Sequence, residues 1–337
     1  MTKAMPILGV VIVTYNSSDV IRDCLDTLLS GAKGVALRVV VVDNASPDET
    51  VNVIKAWASG EDDYILPADL PFVTTLLPKP VSYAPSTNGD DILHLIRSDT
   101  NSGFAAGVNI GLVHLAKDPR IDRFWVLNPD CVVPPGTAEA FARYDPGYFS
   151  IMGGRVTYYD QPDMIQMDGG TINRWTGVTS NVNLYASIDE TTPPDPAAID
   201  FITGASMVAS REFYEAAGPL PEEYFLYYEE VDWAMRRGDL PLAICPLARV
   251  YHKTGTSIGS PTHGRIASPF SLYFKHRARM RFVRRYGPAS VPFAWAYTLA
   301  KAGQYWLKGW RPEARAIVQG AWEETCSTDA LEHKCER

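Results

Sequence analysis

Nothing in these 337 residues points to a bilayer span, a zinc cluster or a disulfide framework. No run of about 18 apolar residues exists to cross a membrane as a helix. Cysteine is scarce. Cys24, Cys131, Cys245, Cys326 and Cys335 are scattered and odd in number, and no CxxC pair is present to hold zinc. Such usage suits a reducing cytoplasm. Positive charge is also short, with 31 Lys and Arg against 39 Asp and Glu, a net charge of −8. That balance excludes the basic footprint of a general nucleic-acid binder. The chain opens on a strand in "MTKAMPILGVVIVTYN", so no signal peptide is expected. What remains is a globular composition, 46% hydrophobic and 21% charged, able to bury a sizeable core.

The pattern along the chain is an alternation. "ILGVVIVTYN" reads as a buried strand, and "ALRVVVVDNAS", "DILHLIRS" and "DRFWVLNPD" repeat the theme. Between them lie helical spacings. Val20, Ile21, Cys24, Leu25, Leu28 and Leu29 make one helix, with Ser17 or Ser18 as its cap and Gly31 or Gly34 as its stop. "SPDETVNVIKAWA" makes another, with Ser46 as N-cap and Glu49 closing a capping box. "GFAAGVNIGLVHLA" is a third. Alternating strands and helices imply an α/β fold with a mostly parallel sheet covered on both faces. Ligands of such sheets bind beyond the carboxyl ends of the strands. Thr14–Asn16, Asp43–Asn44, Ser98–Gly103 and Asn128–Asp130 all fall there. A proline-rich insert over 60–92 interrupts the rhythm and reads as a surface loop. After Gly136 hairpins follow in "MIQMDGGTINRWTGVTSNVNLY", and then a strand in "AIDFITGASMVAS". From Ser268 the chain turns basic and aromatic, with Lys275, Arg277, Arg279, Arg281, Arg284 and Arg285, then Phe293, Trp295, Tyr297, Tyr305, Trp306 and Trp310. These residues are expected on helices, read either as packed structural helices or as an interfacial membrane element. The tail after Trp322 is expected to be poorly ordered.

Five short stretches carry candidate chemistry. Asn128 and Asp130 end a strand two positions apart, a pairing that suits a hard cation such as Mg²⁺ or Mn²⁺ holding a diphosphate. Asx residues at strand ends also simply make turns, and Asp43 and Asn44 share that plainer reading. "NSGFAAGVNIG" is a glycine-containing loop that opens a helix and presents backbone N–H groups, but it is neither a GxGxxG nor a Walker A. His252 closes "RVYH", and a lone histidine is more often structural than a ligand. "YFLYYEEVDWAMRRG" sets Glu229, Glu230 and Asp232 within four positions. Asp232 and Arg236 stand four apart, an ordinary surface pair. The aromatic run before them suits a water-poor wall, in which a carboxylate can work as a general base.

As an ordered set, these motifs resemble inverting family 2 glycosyltransferases of the GT-A fold, and most of all their bacterial rhamnosyltransferase-like members. The pieces that match are "VVIVTYNSSDVIRDCLDTLL", "VVVVDNASPDET", "NSGFAAGVNIGL", "VLNPDCVV", "ITGASMVASREFYEAAGPLPEEYFLYYEEVDWAMRRG" and "VYHKTG", covering most of Val10 to Gly255. The resemblance implies that Thr14, Tyr15 and Asn16 line the nucleotide pocket and that Asp43 and Asn44 sit at the base or ribose. It implies that Asn101, Gly103, Phe104 and Asn109 shape the nucleotide-sugar site. Asn128 and Asp130 stand at the family's DxD position, with Asp130 holding the metal and His252 completing its coordination. Thr203, Gly204 and Ala205 lie under the donor sugar or acceptor. Glu230 takes the place of the base, with Glu229 and Asp232 next in line. Departures are visible. Asn128 replaces an acid, Glu230 replaces the usual Asp, and Val108 stands where relatives carry a second Asn.

The expectation is therefore a transferase of the GT-A fold. Residues 1–267 form its catalytic domain, with a nucleotide-binding half over 1–135 and an acceptor half over 136–267. Residues 268–337 form a helical extension. Its donor is a dTDP- or UDP-linked sugar and its acceptor a glycan or polyprenyl-linked glycan. It works in the cytoplasm at the inner face of the cell membrane, and homo-oligomerisation stays open. Two rival classes carry their own requirements. A sugar nucleotidylyltransferase wants a glycine- and arginine-rich signature near the first strand, which "VVIVTYNSS" lacks. A non-catalytic carbohydrate-binding protein has no need of Asp130, Glu230 and His252 together.

Overall fold

The computed structural model describes residues 5–84, 92–253 and 266–326. Thr254 and Gly255 of the last matched motif, part of the 60–92 insert and the chain beyond Cys326 lie outside these. The chain divides into two compact units. The first comprises Met1–Thr171, Asn181–Glu223 and Glu229–Ser257, and the second Ile172–Ser180, Tyr224–Tyr228 and Ile258–Arg337.

In chain order the strands are β1 (Ile7–Thr14), β2 (Ala36–Asp43), β3 (Tyr83–Ala84), β4 (Leu93–Arg97), β5 (Arg123–Leu127), β6 (Cys131–Val132), β7 (Ile151–Tyr158), β8 (Ile165–Met167), β9 (Gly170–Ile172), β10 (Thr179–Asn181), β11 (Ser206–Ser210) and β12 (Ala243–His252). The helices are α1 (Ile21–Ser30), α2 (Thr50–Ser59), α3 (Phe104–Ala116), α4 (Thr137–Arg143), α5 (Arg211–Ala217), α6 (Glu229–Met235), α7 (Pro269–Tyr286), α8 (Val291–Leu307) and α9 (Arg311–Cys326). The fold is α/β and GT-A-like. One ten-stranded sheet runs β3-β4-β2-β1-β5-β11-β7-β12-β6, with β8 added against β7. The strands through β5 are parallel, and helices α1, α2 and α3 follow β1, β2 and β4 as crossovers. β11 then inserts antiparallel to both β5 and β7. The register sets Thr14 beside Asp43, and Asp43 beside Arg97, so the carboxyl ends of β1, β2 and β4 come level on one edge.

The valine-rich strands are buried on both faces. Val10, Ile12, Val39 and Val41 join Leu25, Ile54, Trp57 and Trp125 in one core. Gly111 and Gly107 let α3 lie close to β1, since a Cβ at Gly111 would fall 2.5 Å from Val11. Two helix caps differ from expectation. α1 starts on Val20 without a side-chain cap, while the Ser17 hydroxyl folds back to the Tyr15 carbonyl at 3.3 Å. α2 starts on Glu49, and Ser46 instead accepts the Asn16 N–H at 3.1 Å. The Asp48 carboxylate takes the first α2 N–H, that of Thr50, at 3.2 Å. The strand expected over "AIDFITGASMVAS" is confined to Ser206–Ser210, because Thr203–Ala205 form a turn closed by Ser206 N–H to the Thr203 carbonyl at 3.2 Å.

The described part of the insert is tied down by buried acids of α1 and forms no helix. Asp26 accepts from the Leu77 N–H at 3.0 Å, from Lys79 at 2.8 Å and from the Trp57 indole at 3.1 Å. Asp23 accepts from the Tyr64 hydroxyl at 2.7 Å. In the second unit, Ser268 caps α7 at Ser271, and Pro269 sits in the first turn. Two small cores hold its helices, one around Leu272, Ala302 and Ile317 and one around Met280, Val283 and Ala294. α9 continues to Cys326, so the chain just after Trp322 is helical where disorder was expected. Glu324 explains this. It is buried against Arg281 at 2.9 Å, with Arg277 and Arg284 near it.

Candidate functional site

The site is assembled from strand ends. Thr14 donates its hydroxyl to Asp43 Oδ1 at 3.2 Å, and Asp43 Oδ2 accepts the Ser46 N–H at 3.2 Å. Both residues are buried. Asp43 thus spends its carboxylate on holding the β1 and β2 ends together. Tyr15 is 41% exposed at the mouth of this corner. Asn16 follows with φ +54, a left-handed turn that amide side chains tolerate. Asn44 is turned inward. Its amide donates to Asn101 Oδ1 and to the Gly103 carbonyl, both at 2.9 Å, and its oxygen accepts the Ser102 N–H at 3.3 Å. Asn101 in turn accepts the Gly103 N–H at 3.0 Å. Gly103 takes φ +94 directly before α3, a conformation open to glycine at little cost. Asn44, expected at the nucleotide, is therefore the brace of the 101–103 loop.

The second corner lies past β5. Asn128 N–H donates to the Ala205 carbonyl at 2.9 Å, and the Asp130 carbonyl accepts the Lys253 N–H at 2.9 Å. His252 closes β12 directly opposite Cys131. Its Nε2 stands 3.0 Å from Asp130 Oδ1, and its Nδ1 is 2.9 Å from Gln166 Oε1. The tautomer decides which ring nitrogen donates; with Nδ1–H donated to Gln166, Nε2 turns a lone pair toward Asp130, a pair of acceptors that a shared cation would satisfy. Asp130, Cys131 and His252 form a group whose ligand atoms lie within 4.8 Å of one another. Cys131 is the poor member. Burial, then the Asp130 charge, holds its thiol well above the usual range, and its Sγ points at the Ala205 carbonyl at 3.6 Å. The thiolate that a metal requires is disfavoured. The usable pair is one carboxylate oxygen and one imidazole nitrogen, leaving the remaining positions of a Mg²⁺ or Mn²⁺ to phosphate and water. Sequence reasoning missed Gln166, which orients the imidazole. It also missed Lys253, whose ammonium pairs with Asp23 and lies 4.6 Å over the Tyr159 ring. Gln166 lies 86 residues from His252 in the chain, so no local signal marks it.

The third corner carries the acids. Thr203–Ala205 run between the other parts. Ala205 bonds to Asn128, and a Cβ on Gly204 would lie 3.5 Å from the Phe104 ring and 3.9 Å from the Glu230 Cβ. Glu230 therefore shares this turn with the Asn128–Asp130 corner. Its neighbours in sequence do not do the same work. Asp232, expected as a surface partner of Arg236, is fully buried and held by that arginine at 2.8 Å. This pairing makes it structural. Asn109 is likewise a latch, since it donates to the Leu220 carbonyl at 2.9 Å and to Glu222 at 2.8 Å and accepts the Leu220 N–H at 2.9 Å. Tyr227 and Tyr228 precede α6 with φ +68 and +69, a strained pair of the kind found at functional sites.

Glu229 is buried, and its Oε2 has no hydrogen-bond partner among the described residues. Burial, then the charge of Glu230, pushes its carboxyl well above the usual range. The native state therefore binds this proton more tightly than the unfolded chain does. Its contribution to stability is whole below the unfolded pKa, near 4.3, and falls as pH rises toward the raised native value. Glu229→Gln removes the loss. Thermal melts are expected to coincide with wild type near pH 4 and to exceed it increasingly toward pH 8. A gap independent of pH would show that Glu229 is not held neutral.

Residues 9–66 match the family described as glycosyl transferase family 2. The chain is 24% identical over 281 residues to the low-salt glycan biosynthesis hexosyltransferase Agl10 of Haloferax volcanii, covering 81% of this chain and 74% of that protein. Among solved structures it is similar to the mannosyltransferase PcManGT from Pyrobaculum calidifontis in complex with GDP-Man and Mn²⁺. That likeness has a TM-score of 0.54 at 15% identity over 97% of this chain and 89% of that one. It is also similar to GalNAc-T7 with UDP, GalNAc and Mn²⁺, with a TM-score of 0.57 at 15% identity over 98% of this chain and 58% of that one. The structural likenesses establish the GT-A-like fold. The family match and the hexosyltransferase relative support a glycosyltransferase as the class of this protein.

Proposed function

We propose that this chain is an inverting hexosyltransferase. It moves a hexose, rhamnose or another, from a dTDP- or UDP-linked donor to a hydroxyl of a glycan or polyprenyl-linked acceptor at the inner face of the cell membrane. One arrangement carries the reading: Glu230 and the Asn128–Asp130 corner meet at the same Thr203–Ala205 turn. In the reaction, the acceptor oxygen bonds to the anomeric carbon as the bond from that carbon to the phosphate oxygen breaks. The electron pair departs on the nucleoside diphosphate, and the acceptor proton passes to the Glu230 carboxylate. A base opposite the leaving group enforces inversion. Tyr15 and Asn16 border the nucleoside, while Thr14 and Asp43 keep the strand ends beneath it in register. Phe104 and Gly204 wall the sugar. Asp130 and His252 would hold a divalent cation, which would supply Lewis-acid stabilisation to the departing diphosphate.

The test is a thermal-shift panel of UDP, dTDP, GDP and their sugars, with Mn²⁺ or with chelator. GDP is included because the Pyrobaculum neighbour carries GDP-Man. The matching nucleotide at a hundredfold excess over Kd stabilises by about 2.7 kcal/mol. Asp130→Ala is expected to erase the part of that shift that depends on Mn²⁺. A variant stabilised as much as wild type by nucleotide with Mn²⁺ would take the metal away from Asp130. If no nucleotide stabilises the wild type, a binding protein for free carbohydrate becomes the better reading.

A further inference from the structure

The second unit carries a charge bias opposite to that of the whole chain. From Ile266 to Cys326 there are ten Lys and Arg against three Glu, and no Asp or Glu occurs between Ile266 and Pro312. Two of the three glutamates are engaged within the unit, and the third, Glu313, lies between Arg311 and Arg315. Glu324 is held by the α7 arginines, and Glu323 accepts from Gln319 at 2.9 Å and from Tyr273.

Helix α8 has two different sides. Ala294, Thr298 and Ala302 face inward and are buried. The opposite side is exposed and almost wholly apolar: Phe293, Ala296, Leu299, Ala300, Gly303, Trp306 and Leu307. Leu307 is 89% exposed and Leu299 57%. At about 3.6 residues per turn this stripe, bordered by the exposed Gln304, fills roughly 140° of the helix and runs about 21 Å from Phe293 to Leu307. Trp175, itself exposed, meets Phe293 edge-on at 5.1 Å and extends the apolar end. Cations border the other end. Lys308 lies 5.1 Å over Trp310 and Arg311 lies 5.2 Å over Trp306.

From these residues we propose that the exposed face of α8 docks on the surface of an anionic bilayer, with Phe293, Leu299, Trp306 and Leu307 entering the headgroup boundary. The proposal rests on the glycosyltransferase reading only for its purpose, which is to present a lipid-linked acceptor. Charge complementarity selects this occupant. A bilayer of anionic lipid offers phosphate to Lys308 and Arg311, which flank the Trp306–Leu307 end, and each such cation contributes about fivefold in partitioning. A second copy of the same face would offer these cations no carboxylate, since α8 carries none. No helix among the described residues is long and apolar enough to cross a membrane. Contact through α8 is thus attachment in the plane of the interface.

The experiment is sedimentation of the full chain with vesicles of equimolar phosphatidylglycerol and phosphatidylcholine, and with pure phosphatidylcholine vesicles. Wild type is expected to pellet with the anionic vesicles at low salt, less at high salt, and weakly with phosphatidylcholine. The double variant Trp306→Ala/Leu307→Ala is expected to lose at least tenfold in partitioning while keeping its circular dichroism and its nucleotide-induced thermal shift. Leu247, equally exposed but on the first unit, serves as control, and Leu247→Ala should pellet like wild type. Three results overturn the proposal. In one, wild type stays in the supernatant. In another, the double variant pellets unchanged. In the third, light scattering shows a stable dimer that Leu299→Glu splits, which assigns the face to a second copy. Vesicle binding by a protein that transfers no sugar would leave the docking intact and remove only the enzymatic reading.

Discussion

Glu230→Gln is expected to lower the transfer rate by about 10²–10⁴-fold, the usual contribution of a positioned general base. The amide keeps the shape of the side chain and cannot take the acceptor proton. The Glu230 Cβ lies beside the Gly204 turn, 3.9 Å from where a Cβ on Gly204 would fall, and this placement survives the change. Nucleotide binding, read as thermal shift with Mn²⁺, should therefore stay at the wild-type level, and the loss should fall on kcat. Glu229→Gln is the internal control. Its carboxyl is buried, and burial then the Glu230 charge push it well above the usual range, which disfavours the carboxylate a base requires. If Glu230→Gln transfers sugar at the wild-type rate, the base lies elsewhere. Asp232 is not the next candidate, because Arg236 and burial remove it from the cleft.

Asp168→Ala should cost about 3–5 kcal/mol of stability, the range for breaking a buried ion pair. Asp168 is 1% exposed and takes both Arg155 Nη2 at 2.9 Å and Nε at 3.2 Å, with Asn183 Nδ2 at 2.9 Å. Arg155 also donates to the Ile188 carbonyl at 3.0 Å. Removing the carboxylate strands a guanidinium under the β7–β8 layer. The cost is mostly that stranded charge, not the loss of an attraction. The double variant Asp168→Leu/Arg155→Met should recover much of the loss, because it buries no unpaired charge. Urea unfolding followed by circular dichroism checks both variants. A single variant within 1 kcal/mol of wild type would mean that water reaches Arg155.

Much of the fold could be read before any coordinates. The valine runs at β1 and β2, and the helical spacing through Ile21, Leu25 and Leu28, are local patterns, and they specify local structure. The Asx residues at the ends of β1, β2 and β5 could be located as well, because strand ends are visible as the place where apolar runs stop. The direction of β11 could not. A strand antiparallel to β5 and β7 looks like a parallel one in sequence, since burial on both faces gives the same apolar run. The caps failed for a related reason. Ser46 takes the Asn16 N–H of another segment, and Ser17 folds its hydroxyl back on Tyr15, so neither caps its helix.

The sequence alone determined the alternation of strands and helices, the edge at which ligands would bind, and the short list of acids, amides and histidine that could act there. Tertiary structure decided which of them remain available. Asn44 and Asn109 lie in motifs as suggestive as that of Asp130, yet the fold spends both amides on Gly103 and Leu220. Asp130 instead meets His252, 122 residues away, and Glu230 meets Gly204. The reason is that a polar group's fate depends on which buried donors and acceptors must be satisfied nearby, and those neighbours are set by strand order and not by chain order.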